Sequence, residues 1–176
     1  MATPLLTARL TESAGLSEAA AFFSDAAGRK VRFVSSKGQP HAFGNTRSGV
    51  SASGDTRVIH LVNAETVAAL AAAGGVALHP DRFRGNVLFD GVPAWREFEW
   101  VDREVKLGGA TLRVVKRTVR CEGVNADGRQ GTGAADVDVP QLLAKHFPEH
   151  GPYLGVYAQV TSGGDVRLGD GLALVE

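Results

Sequence analysis

Short apolar segments separated by glycine pairs dominate the second half of the sequence. Two such pairs are Gly108-Gly109 and Gly163-Gly164. Paired glycines supply the positive φ angles of tight β-turns, so both predict hairpins. The strands on either side of the two turns are Glu104–Leu107 with Ala110–Val115, and Leu154–Val160 with Asp165–Leu168.

Other segments rich in β-branched and aromatic residues extend the strand pattern. Val31–Val34 and Val87–Phe89 have this composition, and Leu172–Val175 follows the turn Gly169-Asp170-Gly171. The sequence therefore contains about eight strand candidates, most of them in its second half.

Three amphipathic segments with capping signals predict helices. In chain order they are Glu18–Ala27 after Ser17, Ala64–Ala73 after Asn63, and Pro140–Phe147 after Asp138. Glycine follows the first two, as is common where a helix ends. Because the strands and helices do not alternate as βαβ units, we predict a mostly β fold with α decoration. The expected architecture is a closed or half-closed antiparallel β-barrel with about three short helices.

Length and charge narrow the function classes. The 176 residues suit one domain, spanning residues 1–176, with a lead-in over residues 1–56 and a barrel core over residues 57–176. The 19 Lys and Arg residues balance 19 Asp and Glu residues, which argues against nucleic acid or an anionic membrane as a partner. We find no signal peptide or membrane span and predict a cytoplasmic protein.

The polar segment Ser35–Asp55 is long for a loop inside a compact domain, which is typical of mobile or functional loops.

The single cysteine, Cys121, is the first candidate for chemistry. Four basic residues precede it, Arg113, Lys116, Arg117 and Arg120. Neighbouring cations stabilise the thiolate, which is the reactive and metal-binding form of cysteine. In a regular strand Arg113, Arg117 and Cys121 face one side, and Lys116 and Arg120 face the other. The alternative is a solvated edge strand followed by a buried, inert cysteine.

A second cluster, Asp81-Arg82-Phe83-Arg84-Gly85-Asn86, leads into the strand Val87–Phe89. Arginine forks pair with phosphate, and glycine lets backbone N–H groups approach it, so this cluster suits an anionic group. The alternative is a basic strand entrance whose arginines extend their side chains to solvent. The five histidines lack the spacing of a zinc site.

Taken in order, these segments resemble the MOSC domain, which is named for the C-terminal part of molybdenum-cofactor sulfurases. The resemblance runs from about Val58 to Gly171 and includes small bacterial members and the C-terminal half of the mitochondrial amidoxime-reducing component. The matching motifs are Ile59–Val62, Arg82–Asn86 with Asp90-Gly91, Trp95–Val101, Leu107-Gly108, Arg120-Cys121, Asp136–Pro140, Gly155–Ala158 and Leu168–Asp170.

The resemblance implies a β-barrel that binds the molybdenum cofactor. It makes Cys121 the molybdenum ligand and the catalytic residue. The cofactor-binding candidates that it implies are Arg82, Arg84, Asn86, Arg120 and Tyr157. Two positions depart from the family pattern, because Thr118 stands where a first cysteine is common and Val124 where a threonine is common. Pyridoxal phosphate belongs to a fused desulfurase-like domain of larger relatives, and we do not expect it on this chain.

Three functional hypotheses follow. In the first, Cys121 ligates molybdenum, and the protein either reduces a small N-hydroxylated compound or handles the cofactor, with a redox partner protein. In the second, Cys121 accepts a persulfide sulfur from a cysteine desulfurase and delivers it onward, without a resident metal. In the third, the barrel is a non-catalytic binding module. The first two are an oxidoreductase and a sulfurtransferase type of protein, and the sequence does not decide whether the chain is an enzyme.

Overall fold

The computed structural model describes residues 6–10, 12–33, 58–131 and 133–175. The chain divides into two compact units, Met1–His41 and Ala42–Glu176. The polar segment Ser35–Asp55 lies outside the described residues, and the proposed single domain with a boundary at residue 56 stays a prediction. The helices are α1 Ser13–Ala27, α2 Ala64–Gly74 and α3 Val139–His146, and the strands are β1 Val58–Asn63, β2 Val87–Phe89, β3 Glu104–Leu107, β4 Ala110–Val119, β5 Tyr153–Ser162 and β6 Leu172–Leu174.

In the first unit, helix α1 ends where the sequence predicts but begins earlier. Gly28 terminates it in the left-handed conformation with φ 62°. The predicted cap, Ser17, is wrong: its hydroxyl donates to the carbonyl of Ser13 at 3.0 Å, inside the helix. The described part of the predicted strand Val31–Val34, residues 31–33, forms no strand.

The two helices of the second unit begin at the predicted caps. The Asn63 side chain accepts a hydrogen bond from the backbone N–H of Glu65 at 3.0 Å. The Asp138 carboxylate accepts one from the backbone N–H of Gln141 at 3.0 Å. Each cap satisfies a backbone donor of the first turn, which otherwise has no partner within the helix.

Among the described residues, six strands form one curled half-barrel sheet in the order β2-β1-β5-β4-β3-β6. The pair β1 and β2 is parallel, and the other pairs are antiparallel. The predicted fold class, a mostly β structure with helical decoration, is confirmed.

One predicted hairpin is confirmed and one is wrong. Leu107 pairs with Ala110 across Gly108-Gly109, as expected for a two-residue turn. No hairpin forms at Gly163-Gly164, because β1 and β4 already pair with the two edges of β5. The following segment instead crosses the β3–β4 turn, where the N–H of Gly109 donates to the carbonyl of Asp165 at 2.9 Å.

The strands separate two hydrophobic clusters. Neighbouring residues of β1 belong to different clusters: Leu61 packs with the sheet and the 96–100 turn, and Val62 packs with α2 and α3. Successive side chains of a strand point to opposite faces, so β1 is covered on both sides. A polar residue on this strand must therefore find its partners inside the protein, and His60 lies next to Leu61.

Candidate functional site

Arg120 is buried where β4 leaves the sheet. Its side chain is directed inward, with Nε donating to the carbonyl of Leu154 at 2.9 Å and Nη1 donating to the carbonyl of Phe83 at 3.2 Å. Nη2 contacts the Leu154 carbonyl as well, and it lies 2.6 Å from Nε2 of His60. Burial lowers the pKa of Arg120 to about 10, against the opposing charges of Tyr157 and Cys121. Arg120 therefore stays charged at neutral pH and ties three segments together.

His60 is the neutral partner of this arginine. Burial, followed by the charge of Arg120, lowers the pKa of His60 to about 4. A guanidinium can only donate, so Nε2 of His60 accepts and the proton of the neutral ring lies on Nδ1. Nδ1 lies 3.4 Å from the carbonyl oxygen of Arg84, to which it can donate. His60 thus links the buried arginine to the turn that carries Arg84.

Gly155 makes this arrangement possible. Its φ is 76°, a conformation that side chains disfavour. A Cβ at this position would lie 2.9 Å from Nε2 of His60 and 3.3 Å from Nη2 of Arg120. The His60–Arg120 contact therefore needs a residue without a side chain on β5.

Asn86 joins its turn to β1 through one side-chain and one backbone hydrogen bond. Its Oδ1 accepts from the N–H of His60 at 2.8 Å, and its own N–H donates to the carbonyl of His60 at 2.8 Å. Asn86 is exposed. Oδ1 already accepts a hydrogen bond inside the protein. The amide nitrogen, which is a donor, is therefore the atom of this side chain that can bind a ligand.

The two arginines of the Arg-Phe-Arg motif have different surroundings. Arg82 is buried and forms a two-pronged ion pair with Asp136, at 2.7 and 2.8 Å. Its Nη1 also donates to the carbonyls of Val124 and Asn125. Arg84 is exposed and takes a left-handed conformation with φ 52°. The motif thus has one arginine inside the protein and one on the surface.

Cys121 is exposed, just beyond the end of β4. The alternative of a buried cysteine after an edge strand is therefore wrong: the thiol is exposed, and β4 lies between β3 and β5. Bulges interrupt β4 between Val114 and Lys116 and again near Val119.

The structure brings Cys121 and Arg84 together above Gly123. A Cβ on Gly123 would lie 3.4 Å from Nη1 of Arg84 and 3.5 Å from Sγ of Cys121. The guanidinium and the thiol therefore border the same position above Gly123, which has room for a methyl group at ordinary contact distances. These two side chains, from separate motifs, form the exposed part of the candidate site.

Tyr157 lies beside the buried part of the site. Its ring centroid is 5.2 Å from that of His60, and the two residues are paired between β5 and β1. Tyr157 also acts on the charge of Arg120. The predicted site residues near one another are thus Cys121, Arg84, Asn86, Arg120 and Tyr157, whereas Arg82 is held by Asp136.

Three residues of the site were missed from the sequence. The sequence assigns no role in the site to His60 or Gly155, although both lie in motifs that match the family, and it gives no signal for Gly123. A signal existed for His60, since a histidine between apolar residues of a strand needs a buried polar partner. The two glycines leave room for contacts between segments that are distant in the sequence, and local sequence patterns do not predict such contacts.

The described residues contain no cluster of three or more His, Cys, Asp or Glu side chains that could hold a metal ion. Within the same residues, no helix is long and apolar enough to cross a bilayer. The predicted cytoplasmic location stays a prediction.

The comparison with protein families agrees with the fold. The MOSC domain model matches residues 41–173, and this chain belongs to the MOSC domain family. The family predicted from the motifs is thereby confirmed. The MOSC family is linked to proteins that bind or sulfurate the molybdenum cofactor.

Solved structures that match include two of YiiM. The YiiM structure from Geobacillus stearothermophilus is 19% identical with a TM-score of 0.49, and the match covers 67% of this chain and 54% of that one. The YiiM structure from Escherichia coli is 18% identical with a TM-score of 0.46, covering 72% of this chain and 58% of that one. The matched region is thus less than two thirds of either YiiM chain. No curated protein sequence matches this chain.

Proposed function

We propose that this chain binds the molybdenum cofactor with Cys121 as the protein ligand of molybdenum. In this proposal it serves to reduce N-hydroxylated compounds or to handle the cofactor. The observation that supports it is that Cys121 is exposed and that its Sγ borders the same position above Gly123 as the guanidinium of Arg84. Membership of the MOSC family supports the same class of cofactor.

The residues at this position fit such a group. A thiolate is a soft ligand that suits molybdenum, and a guanidinium suits the phosphate of a pterin cofactor. Arg84 and Asn86 follow one another in the same turn, both exposed, and each offers N–H donors. We assign cofactor contacts to Cys121, Arg84 and Asn86.

The remaining candidates have a different role in this proposal. Arg82 and Arg120 are 2% and 8% exposed. The two terminal nitrogens of Arg82 bond to carbonyls and to Asp136, and the guanidinium of Arg120 bonds to carbonyls and to His60. We propose that both are positioning residues, with Arg82 holding its turn and Arg120 supporting the Cys121 loop by its charge. Tyr157, half-buried beside His60, is proposed to line the site.

The bound cofactor would supply two-electron redox chemistry. Reduction of an N-hydroxylated compound to the amine takes up two electrons and two protons and releases water, so the proposal requires a redox partner protein as electron donor. His60 does not supply these protons at neutral pH, because its pKa of about 4 leaves the ring neutral and its Nδ1 proton faces the Arg84 carbonyl.

The test is to purify the protein from cells that make the cofactor and to measure molybdenum and pterin per chain. We expect stoichiometric molybdenum in the native protein. We expect its loss in Cys121→Ala, with the unfolding midpoint unchanged because the thiol is exposed. A well-folded native protein without molybdenum would rule the proposal out.

The same exposed thiol favours a sulfur carrier as the second candidate. Here the Cys121 thiolate would attack the outer sulfur of a desulfurase persulfide, forming a new S–S bond while the desulfurase cysteine leaves as a thiolate. Incubation with a cysteine desulfurase and cysteine should then add one sulfur mass to the native protein and none to Cys121→Ala. If molybdenum and added sulfur are both absent, the third hypothesis, a non-catalytic binding module, is what remains.

A further inference from the structure

A cavity of about 450 Å³ lies at the end of β4 that leads to Cys121. Its lining residues are Phe98, Val101, Lys116, Arg117 and Tyr153. Lys116 and Arg117 belong to β4, and Tyr153 pairs with Val119 near the end of that strand. A cavity of this size accommodates a small molecule.

Among the residues that line the cavity, Lys116 has an unusual environment. Its ammonium nitrogen is buried and has no hydrogen-bond partner among the described residues. Within the same part of the chain, no carboxylate lies within ion-pair distance of it. The hydroxyl of Thr118, two residues further along the strand, is also buried without a partner. Thr118 does not line the cavity, whereas Lys116 does. Buried polar groups in folded proteins are nearly always bonded, so the unpartnered nitrogen of Lys116 is the group that indicates a missing partner there.

Arg117 adds a second positive charge. Its guanidinium carbon lies 4.5 Å from the centroid of the Phe98 ring, which holds the side chain against the cavity. The ion pairs of the described residues do not include Arg117. Arg117 is exposed, and water can solvate its charge. The buried ammonium of Lys116 has neither a hydrogen-bond partner nor a counter-charge, and an anion bound between the two side chains would supply both.

We propose that this cavity binds a small molecule that carries a carboxylate or phosphate on an aromatic or apolar body. Lys116 and Arg117 pair with the anionic group, and Phe98, Val101 and Tyr153 contact the body. Apolar walls with a few convergent polar groups are typical of small-molecule sites. The inference does not depend on the cofactor proposal, since none of these five residues is a cofactor candidate.

Phenyl phosphate and benzoate are suitable probes, with inorganic phosphate as the probe for the anion alone. Titration calorimetry on the native chain should show saturable binding of an aromatic probe, tighter than that of inorganic phosphate. Lys116→Met keeps the apolar stem and removes the charge, and we expect it to weaken binding about tenfold or more, the effect of one charge-assisted hydrogen bond. Arg117→Met should weaken binding to a smaller extent.

Matched controls separate this site from the cofactor site. Lys106→Met changes an exposed lysine of β3 and should leave binding unchanged. Cys121→Ser should also bind the probe normally, so failure of the cofactor proposal would not affect this result. No saturable binding, or equal binding by native protein and Lys116→Met, would overturn the inference. Loss of probe binding in cofactor-loaded protein would overturn it too, by assigning the anion to the cofactor.

Discussion

Arg82 and Arg84 are two residues apart in one motif and have opposite surroundings. Arg82 is 2% exposed, and its guanidinium bonds to Asp136 and to two backbone carbonyls. Arg84 is exposed, and its side chain reaches the space above Gly123 beside Cys121. The same residue type therefore holds the fold at one position and is available to a ligand at the other.

The backbone explains the difference. Residues Pro80–Phe83 form a turn of 3-10 helix, and Arg84 ends it in the left-handed conformation. This change of direction places one arginine inward and the next outward. The carbonyl of Arg84 then lies 3.4 Å from Nδ1 of His60, so the exposed arginine is attached to the buried His60–Arg120 pair through its main chain.

The largest expected effect at neutral pH comes from removing the buried arginine. Arg82→Met leaves two buried carbonyls without their donor and Asp136, which is 30% exposed, without its ion pair, and we expect a loss of about 2 kcal/mol in the free energy of unfolding. Arg84→Met is the matched control, and an exposed substitution should change the free energy of unfolding by less than about 0.5 kcal/mol. Urea unfolding of both variants measures the contrast. Equal losses of stability would show that the two arginines do not differ in role.

The second expected effect is a loss of stability at acidic pH. The folded protein keeps His60 neutral with a pKa of about 4, whereas an unfolded histidine protonates near pH 6.5. The unfolded chain therefore binds more protons between these values, and stability is complete above pH 6.5 and falls toward pH 4. The loss amounts to at most about 3 kcal/mol. Urea midpoints from pH 7 to pH 4 should fall more steeply for the native protein than for His60→Gln. Parallel curves would contradict the buried, neutral histidine.

The sequence predicts local features of this fold well. The caps Asn63 and Asp138 and the Gly108-Gly109 turn depend on neighbouring residues, and the structure has all three. The hairpin at Gly163-Gly164 failed because a glycine pair does not reveal that both edges of β5 are occupied by distant strands.

The candidate site also combines features that the sequence predicts with contacts that it does not predict. Residue chemistry and the family motifs pointed to Cys121 and Arg84, and the structure places them around one space. Local patterns did not predict that Arg82 has a partner 54 residues away in Asp136. They also did not predict that Arg120 turns inward to His60, because both contacts arise only when distant segments pack.

Gly123→Ala should have the smallest effect on stability. It should nevertheless change the reactivity of the exposed site. The added methyl would meet Arg84 and Cys121 at 3.4 and 3.5 Å, ordinary contact distances, so stability should change by less than about 0.5 kcal/mol. The methyl fills the space between guanidinium and thiol, so alkylation of Cys121 by iodoacetamide should slow severalfold and bound molybdenum should decrease. Gly128→Ala is the control, since a Cβ there contacts nothing within 4 Å. If the two variants alkylate at the native rate, the space above Gly123 is not the approach to the thiol.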